Sequence, residues 1–413
     1  MSFGAIEFRT RLLPIVLAQA IGLACGVVGV VLASHWVAPQ DYGHYAIFLT
    51  LTPLGMWVVH AGLIKFVGRH WAAAPDRAQL LREVARSALR KTPWLIAATV
   101  GATLLVAPPN PLLFGACLLV AAAGLSIAQL AQSAQQADRR HWTDCGLAAT
   151  GSLARTFLPL LCYAAFSATP LALQAGFALH ALIAAGVGAG LLGRHWRRST
   201  PASSRVLTPV FDGPLFIVLA VTAWVLSGFN RWIVAWFFGT EATGYFTLAV
   251  NIGAILPSVL GSMMLQYLQP GWFAPHDDSP GERHRLGRET DRAAGFYAAG
   301  ALALTALLHL LMPVLIGNLV SERYAAVAGL VLPAGCFTVA VTTGFFFHSL
   351  LLAVRRERAC GPADLTGAVI LIAGGAVGAG LGEEWFLRWL IISPAVPWVV
   401  NRTLARRALF NSA

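Results

Sequence analysis

The chain has 413 residues, of which 57% are apolar and only 11% charged, with a net charge of +11 and a mean hydropathy of +0.68. One water-soluble core cannot enclose that much apolar surface, so the composition excludes an ordinary soluble domain and makes a bilayer the solvent. The basic excess is scattered over separate short loops, which suits lipid headgroups and argues against a nucleic-acid interface.

A spanning helix needs about 20 apolar residues to cross roughly 30 Å of hydrocarbon. In chain order the sequence predicts spans near 12–35, 44–64, 93–109, 111–131, 147–167, 171–192, 211–229, 244–269, 293–315, 325–352, 363–381 and 386–404. The first follows Arg9 and Arg11 as a signal peptide would, but it is longer than a leader and has no small-residue cleavage site, so it is expected to be retained. Twelve crossings put both termini on one side. If that side is cytoplasmic, its segments hold 25 of the 29 basic residues, leaving Arg231, Arg323 and Arg388 outside and Arg155 within a helix. The positive-inside rule then orients every loop consistently. Six cysteines without a C-x-x-C pair point to neither a disulfide framework nor a zinc site.

The predicted outer loops, such as His35 to Gly43 and Arg231 to Gly244, are short and leave no room for an external catalytic domain. The cytoplasmic segment after the sixth span, Arg194 to Arg205, mixes Pro and Ser with charge and reads as a linker. The expected organisation is therefore an N-terminal six-helix lobe over 1–197, a linker over 198–210 and a C-terminal six-helix lobe over 211–413. A short internal repeat supports the division. Superposing Gly43 on Gly244 aligns Tyr45 with Phe246 and Ile47 with Leu248, at the same place in each half. In the first cytoplasmic loop, Asp76 to Arg90 gathers Leu81, Val84, Ala85 and Ala88 on one helical face. This stretch predicts either a helix lying on the inner leaflet or an extension of the third span.

Four stretches carry a family resemblance. Ala38-Pro-Gln-Asp-Tyr-Gly43-His-Tyr45, His60-Ala-Gly-Leu-Ile-Lys65-Phe-Val-Gly-Arg69, Asn230 to Tyr245 and Ile316-Gly-Asn-Leu-Val-Ser-Glu-Arg-Tyr324 resemble polysaccharide-biosynthesis flippases of the Wzx type, in the multidrug/oligosaccharidyl-lipid/polysaccharide exporter superfamily. The resemblance implies an all-α polytopic membrane protein of about 12 helices, in two six-helix bundles that form a V-shaped alternating-access transporter of a bacterial inner membrane. The implied cargo is a polyprenyl-diphosphate-linked oligosaccharide moved from the inner to the outer leaflet. No cofactor is implied beyond a proton or sodium gradient, and the partners would be membrane lipids and other polysaccharide-assembly membrane proteins.

A diphosphate with sugars is costly in hydrocarbon, so such a protein needs a polar and preferably cationic path. Arg155, well inside the fifth span, is the foremost candidate. A mid-membrane arginine costs about 2.5–3.5 kcal/mol on insertion scales, which selects for a use, although snorkelling or a structural hydrogen bond would also account for it. Lys65 and Arg69, one turn apart, could meet a diphosphate at the inner end of the second span or serve only as topology signals. Asn230 and Arg231 are expected at the outer end of the seventh span, and Asn251 and Gln266, with Gln19, Gln129 and Gln174, as cavity lining or as helix-joining groups. For ion coupling the candidates are Asp212, Asp364 and His60. His180, His309 and His348 read as packing residues. The absence of an acid in the first span weakens a drug-exporter reading.

Two rivals remain. A cation-coupled drug or metabolite exporter would share the fold. A polytopic lipid-glycan enzyme would need a concentrated set of acid and base groups, and the outer loops offer only scattered acids, so no enzyme is expected.

Overall fold

A computed structural model describes residues 13–71, 74, 76–196, 214–272, 279–354, 357–393 and 395–410. The expected linker 198–210 lies outside them. The described chain is almost wholly helical: α1 (Leu13–Trp36), α2 (Pro39–His70), α3 (Arg77–Val106), α4 (Pro111–Ala137), α5 (His141–Ala165), α6 (Pro170–Trp196), α7 (Pro214–Trp272), α8 (Pro280–Leu315), a 3₁₀ turn (Glu322–Tyr324), α9 (Val327–Ala353), α10 (Glu357–Leu381), α11 (Glu383–Ile392) and α12 (Ala395–Phe410). Among the described residues eight helices are long and apolar enough to cross a membrane, or nine if the bent pair within α2 counts as one span. The protein is thus an all-α, multi-pass membrane protein.

The 59-residue α7 contains two of the expected spans. Its helix breaks only at Gly239, where φ is +88° and ψ 176°, a conformation that glycine tolerates and side chains do not. This corrects the predicted outer loop at 231–244. Trp232, Ile233 and Val234 pack into the core, and the apolar run through Phe238 keeps the backbone helical to the break. With no water to satisfy exposed amides, helix is the economical conformation there.

Contacts divide the chain into two compact units, Met1–Cys25 with Ile47–Val221, and Gly26–Ala46 with Thr222–Ala413. In the first, α6 lies against α4 and α5. Its polar end is tied by Asp76, which caps α3 by accepting from the Ala78 and Gln79 amides at 2.8 and 3.1 Å. Arg77 donates to both carboxylate oxygens of Asp138, at 3.2 and 2.6 Å, and stacks over Trp71 at 5.4 Å. Because α3 runs unbroken from Arg77 to Val106, the amphipathic stretch is the extension of the third span. Leu80, Leu81 and Val84 are buried with Leu63, Phe66, Trp71 and Leu130, each worth about 1.5–3 kcal/mol where water is the alternative.

In the second unit Ile233, Val234, Phe246, Phe337, Leu371, Phe386 and Leu390 form the core. The hairpin between α1 and α2 is part of this unit and is clasped from two directions. Ser34 Oγ accepts from the Ser321 amide at 3.2 Å, the Ser34 carbonyl accepts from Arg323 at 2.8 Å, and the Val37 carbonyl accepts from the Tyr324 hydroxyl at 3.1 Å. On the other side Gly43 meets the Thr240 carbonyl, while Gly244 meets the Pro39 carbonyl. The two glycines that align in the repeat therefore face each other, and each gives the opposing backbone its space.

Candidate functional site

Arg155 is exposed on α5 and makes no ion pair with any described residue. It lies within electrostatic range of His180 on α6. His180 is 4% exposed, packs edge-on against Phe177 at 5.4 Å, and leaves its Nδ1 without a hydrogen-bond partner among the described residues. This pair belongs to the first unit. It gives the span a cationic group that makes no ion pair among the described residues.

Of the other predicted binding residues, Lys65 and Arg69 fall in the first unit with Gln19, Gln129 and Gln174, and Asn230, Arg231, Asn251 and Gln266 in the second. Asn230 and Arg231 are not at the outer end of a span: the helix continues two turns beyond them, roughly 12 Å, before Gly239. Asn230 is buried, and its Oδ1 accepts from the Arg231 amide at 2.9 Å. The Arg231 guanidinium turns back along its own helix toward the Ser227 carbonyl at 3.4 Å. Asn251 joins helices, donating to the Tyr42 hydroxyl at 2.8 Å. Gln266 is exposed on the last turns of α7. The side chains of His60, Lys65 and Arg69, and the whole of Asp212, lie outside the described residues.

Asp364 is where the structure adds most. It is 5% exposed on α10, and His348 on α9 approaches it with Nδ1 3.3 Å from Oδ2. Asn401 on α12, 3% exposed, directs Nδ2 toward Asp364 Oδ1 at 3.5 Å. Cys360, one turn before Asp364, is also within hydrogen-bonding reach of His348. Three helices thus converge on one buried acid. From sequence only Asp364 of this group stands out as an ion-coupling candidate, and His348 reads as a packing residue. The usable signal was an acid and a cysteine four apart, on one helical face, entering an apolar run.

No known family's sequence profile and no curated protein matches the chain. Solved structures do match it over nearly its full length. A MATE transporter in the straight conformation is 12% identical, with 99% of each chain covered and a TM-score of 0.60. The MATE multidrug transporter DinF-BH is 12% identical, covering 99% of this chain and 97% of that one, with a TM-score of 0.63. An outward-facing multidrug resistance MATE family transporter of the MOP superfamily is 14% identical, with 97% of each covered and a TM-score of 0.59. The fold is that of the MATE transporters.

Proposed function

We propose that the chain is a flippase that carries a polyprenyl-diphosphate-linked oligosaccharide from the inner to the outer leaflet of a bacterial inner membrane, with both termini cytoplasmic. The observation that supports this cargo is the sign of the intramembrane charge. Among the described residues of the first unit Arg155 stands in a spanning helix, while Asp76, Glu83, Asp138 and Asp144 sit at polar helix ends. A unit charge brought within about 4 Å of a guanidinium at an effective dielectric near 20 gains or loses about 4 kcal/mol according to its sign. That favours a diphosphate and opposes a cation. Lys65 and Arg69 would meet the same headgroup at the inner mouth. A proton or sodium gradient would supply the work, and membrane lipids and other polysaccharide-assembly proteins would be the partners.

The likeness to multidrug transporters supports a second reading, a cation-coupled drug or metabolite exporter. Deleting the gene and identifying the lipid that accumulates separates the two. The flippase reading expects a lipid-linked oligosaccharide to build up, relieved by the native chain, poorly by Arg155→Ala and partly by Arg155→Lys. Unchanged lipid pools would overturn the flippase, and full relief by Arg155→Ala would remove Arg155 from the path.

A further inference from the structure

We propose that His348, Asp364, Asn401 and Cys360 form the proton-binding site of this transporter, a buried cluster where α9, α10 and α12 meet that takes up and releases one proton. The inference deepens the reading of the chain as a gradient-driven transporter and does not depend on the cargo.

Four observations converge on it. The residues come from three different helices, so their meeting is a product of the fold and not of local sequence. The acid is buried, and a lone carboxylate inside a membrane protein is costly unless a cation or proton accompanies it. His348 is the one described basic group placed to do this. A small cavity adjoins the pair, walled by Leu226, Val341, Phe345 and Trp398. Lastly, Asn401 Oδ1 and Trp398 Nε1 are buried with no hydrogen-bond partner among the described residues. An acceptor and a donor left open beside an ionisable pair suit a water that carries the proton in and out.

Proton bookkeeping is simple here. With its proton, the imidazolium donates from Nδ1 to Asp364 Oδ2 and the pair is neutral overall. Without it, the same Nδ1–H bond persists while the pair keeps one uncompensated negative charge. Release is therefore tied to wetting of the cavity beside the pair. Among the described residues, Cys360 is the other titratable group at the site, and on α12 Arg402 and Arg406 are engaged by Asp291 of α8, at 2.9 and 2.7 Å. Zinc-like binding is disfavoured, since no three His, Cys, Asp or Glu among the described residues are placed to hold a metal ion.

Difference infrared spectroscopy of the purified full chain in lipid, titrated with acid in sodium-free buffer, tests the site directly. The expected result is, among the titrating bands, one coupled imidazole and carboxylate component that disappears in both His348→Gln and Asp364→Asn. Asp364→Asn preserves volume, and a retained thermal transition shows that a lost band is not a lost fold. Should a variant unfold, the native chain labelled at histidine ring carbons gives the same reading through isotope shifts of the band. A signature that persists in both variants, or no titrating band at all, would overturn the site. Its displacement by excess sodium in the native chain would overturn the proton as occupant. Because no cargo is present, failure here is distinguishable from failure of the flippase reading.

Discussion

Replacing Gly43 with alanine should break the clasp between the α1–α2 hairpin and the break in α7. An added Cβ at Gly43 would lie 2.9 Å from the Thr240 carbonyl carbon and 3.1 Å from the Gly244 nitrogen, with the Thr240 oxygen nearer still. Carbon atoms prefer about 3.5–4.0 Å, so the two backbones must part by roughly 1 Å. Overpacking of this kind costs about 1–3 kcal/mol where side chains can yield. Here the opposing atoms are main chain, which puts the cost near the upper end, and about 3 kcal/mol is on the order of a hundredfold in population. Gly244→Ala should act equally, since its Cβ would lie 2.7 Å from the Pro39 carbonyl carbon. Spin labels at Trp36→Cys and Phe237→Cys, both on exposed side chains, in a background without the native cysteines, report the separation by pulsed electron resonance. The parent should show one short distance, and each alanine variant a second, longer population. Distances unchanged in both variants, in protein that still melts cooperatively, would refute the reasoning.

Three further outcomes follow from the same contacts. Tyr42→Phe removes the hydroxyl that Asn251 donates to and should lower stability by about 1–3 kcal/mol, read as a lower melting temperature in detergent. Arg77→Ala strips Asp138, whose side chain is 8% exposed, of its bidentate partner and Trp71 of its cation; a loss of about 2 kcal/mol is expected, with Arg77→Lys recovering less than half. At the polar start of α8, before the apolar run, burial pushes the Asp291 carboxyl up, but hydrogen bonds and charge from Arg406 and Arg402 outweigh it and hold the group below its ordinary range. Its stabilisation is therefore complete above the unfolded carboxylate's range near pH 4 and fades as pH falls through the lower folded value. A melting-temperature profile against pH should lose that acid-side slope in Asp291→Asn, at a cost of about 1 kcal/mol at neutral pH because the arginines are half-exposed.

Hydrophobic runs and the placement of arginines made the helices legible, because bilayer thickness and loop charge act on sequence locally. Boundaries were less so. Gly239 alone ends a helix that was expected to end near Phe229, since the polar pair Asn230–Arg231 resembles a loop edge until the apolar residues after it are seen packing. Arg155 was legible as an intramembrane cation because its cost is intrinsic to the residue. His348 with Asp364 was not, since their meeting depends on where a hairpin and a third helix cross. The Gly43–Gly244 alignment could be read from the repeat, but not the close approach of one glycine-bearing loop to the other.

Allotment of residues 26–46 to the unit otherwise built from 222–413 bears on how the polypeptide holds together once it is cut. A nick within 198–210 severs the backbone but leaves the N-terminal fragment gripping its counterpart through Ser34, Val37 and Gly43. The two pieces should copurify, and separately synthesised halves should reassemble in the membrane.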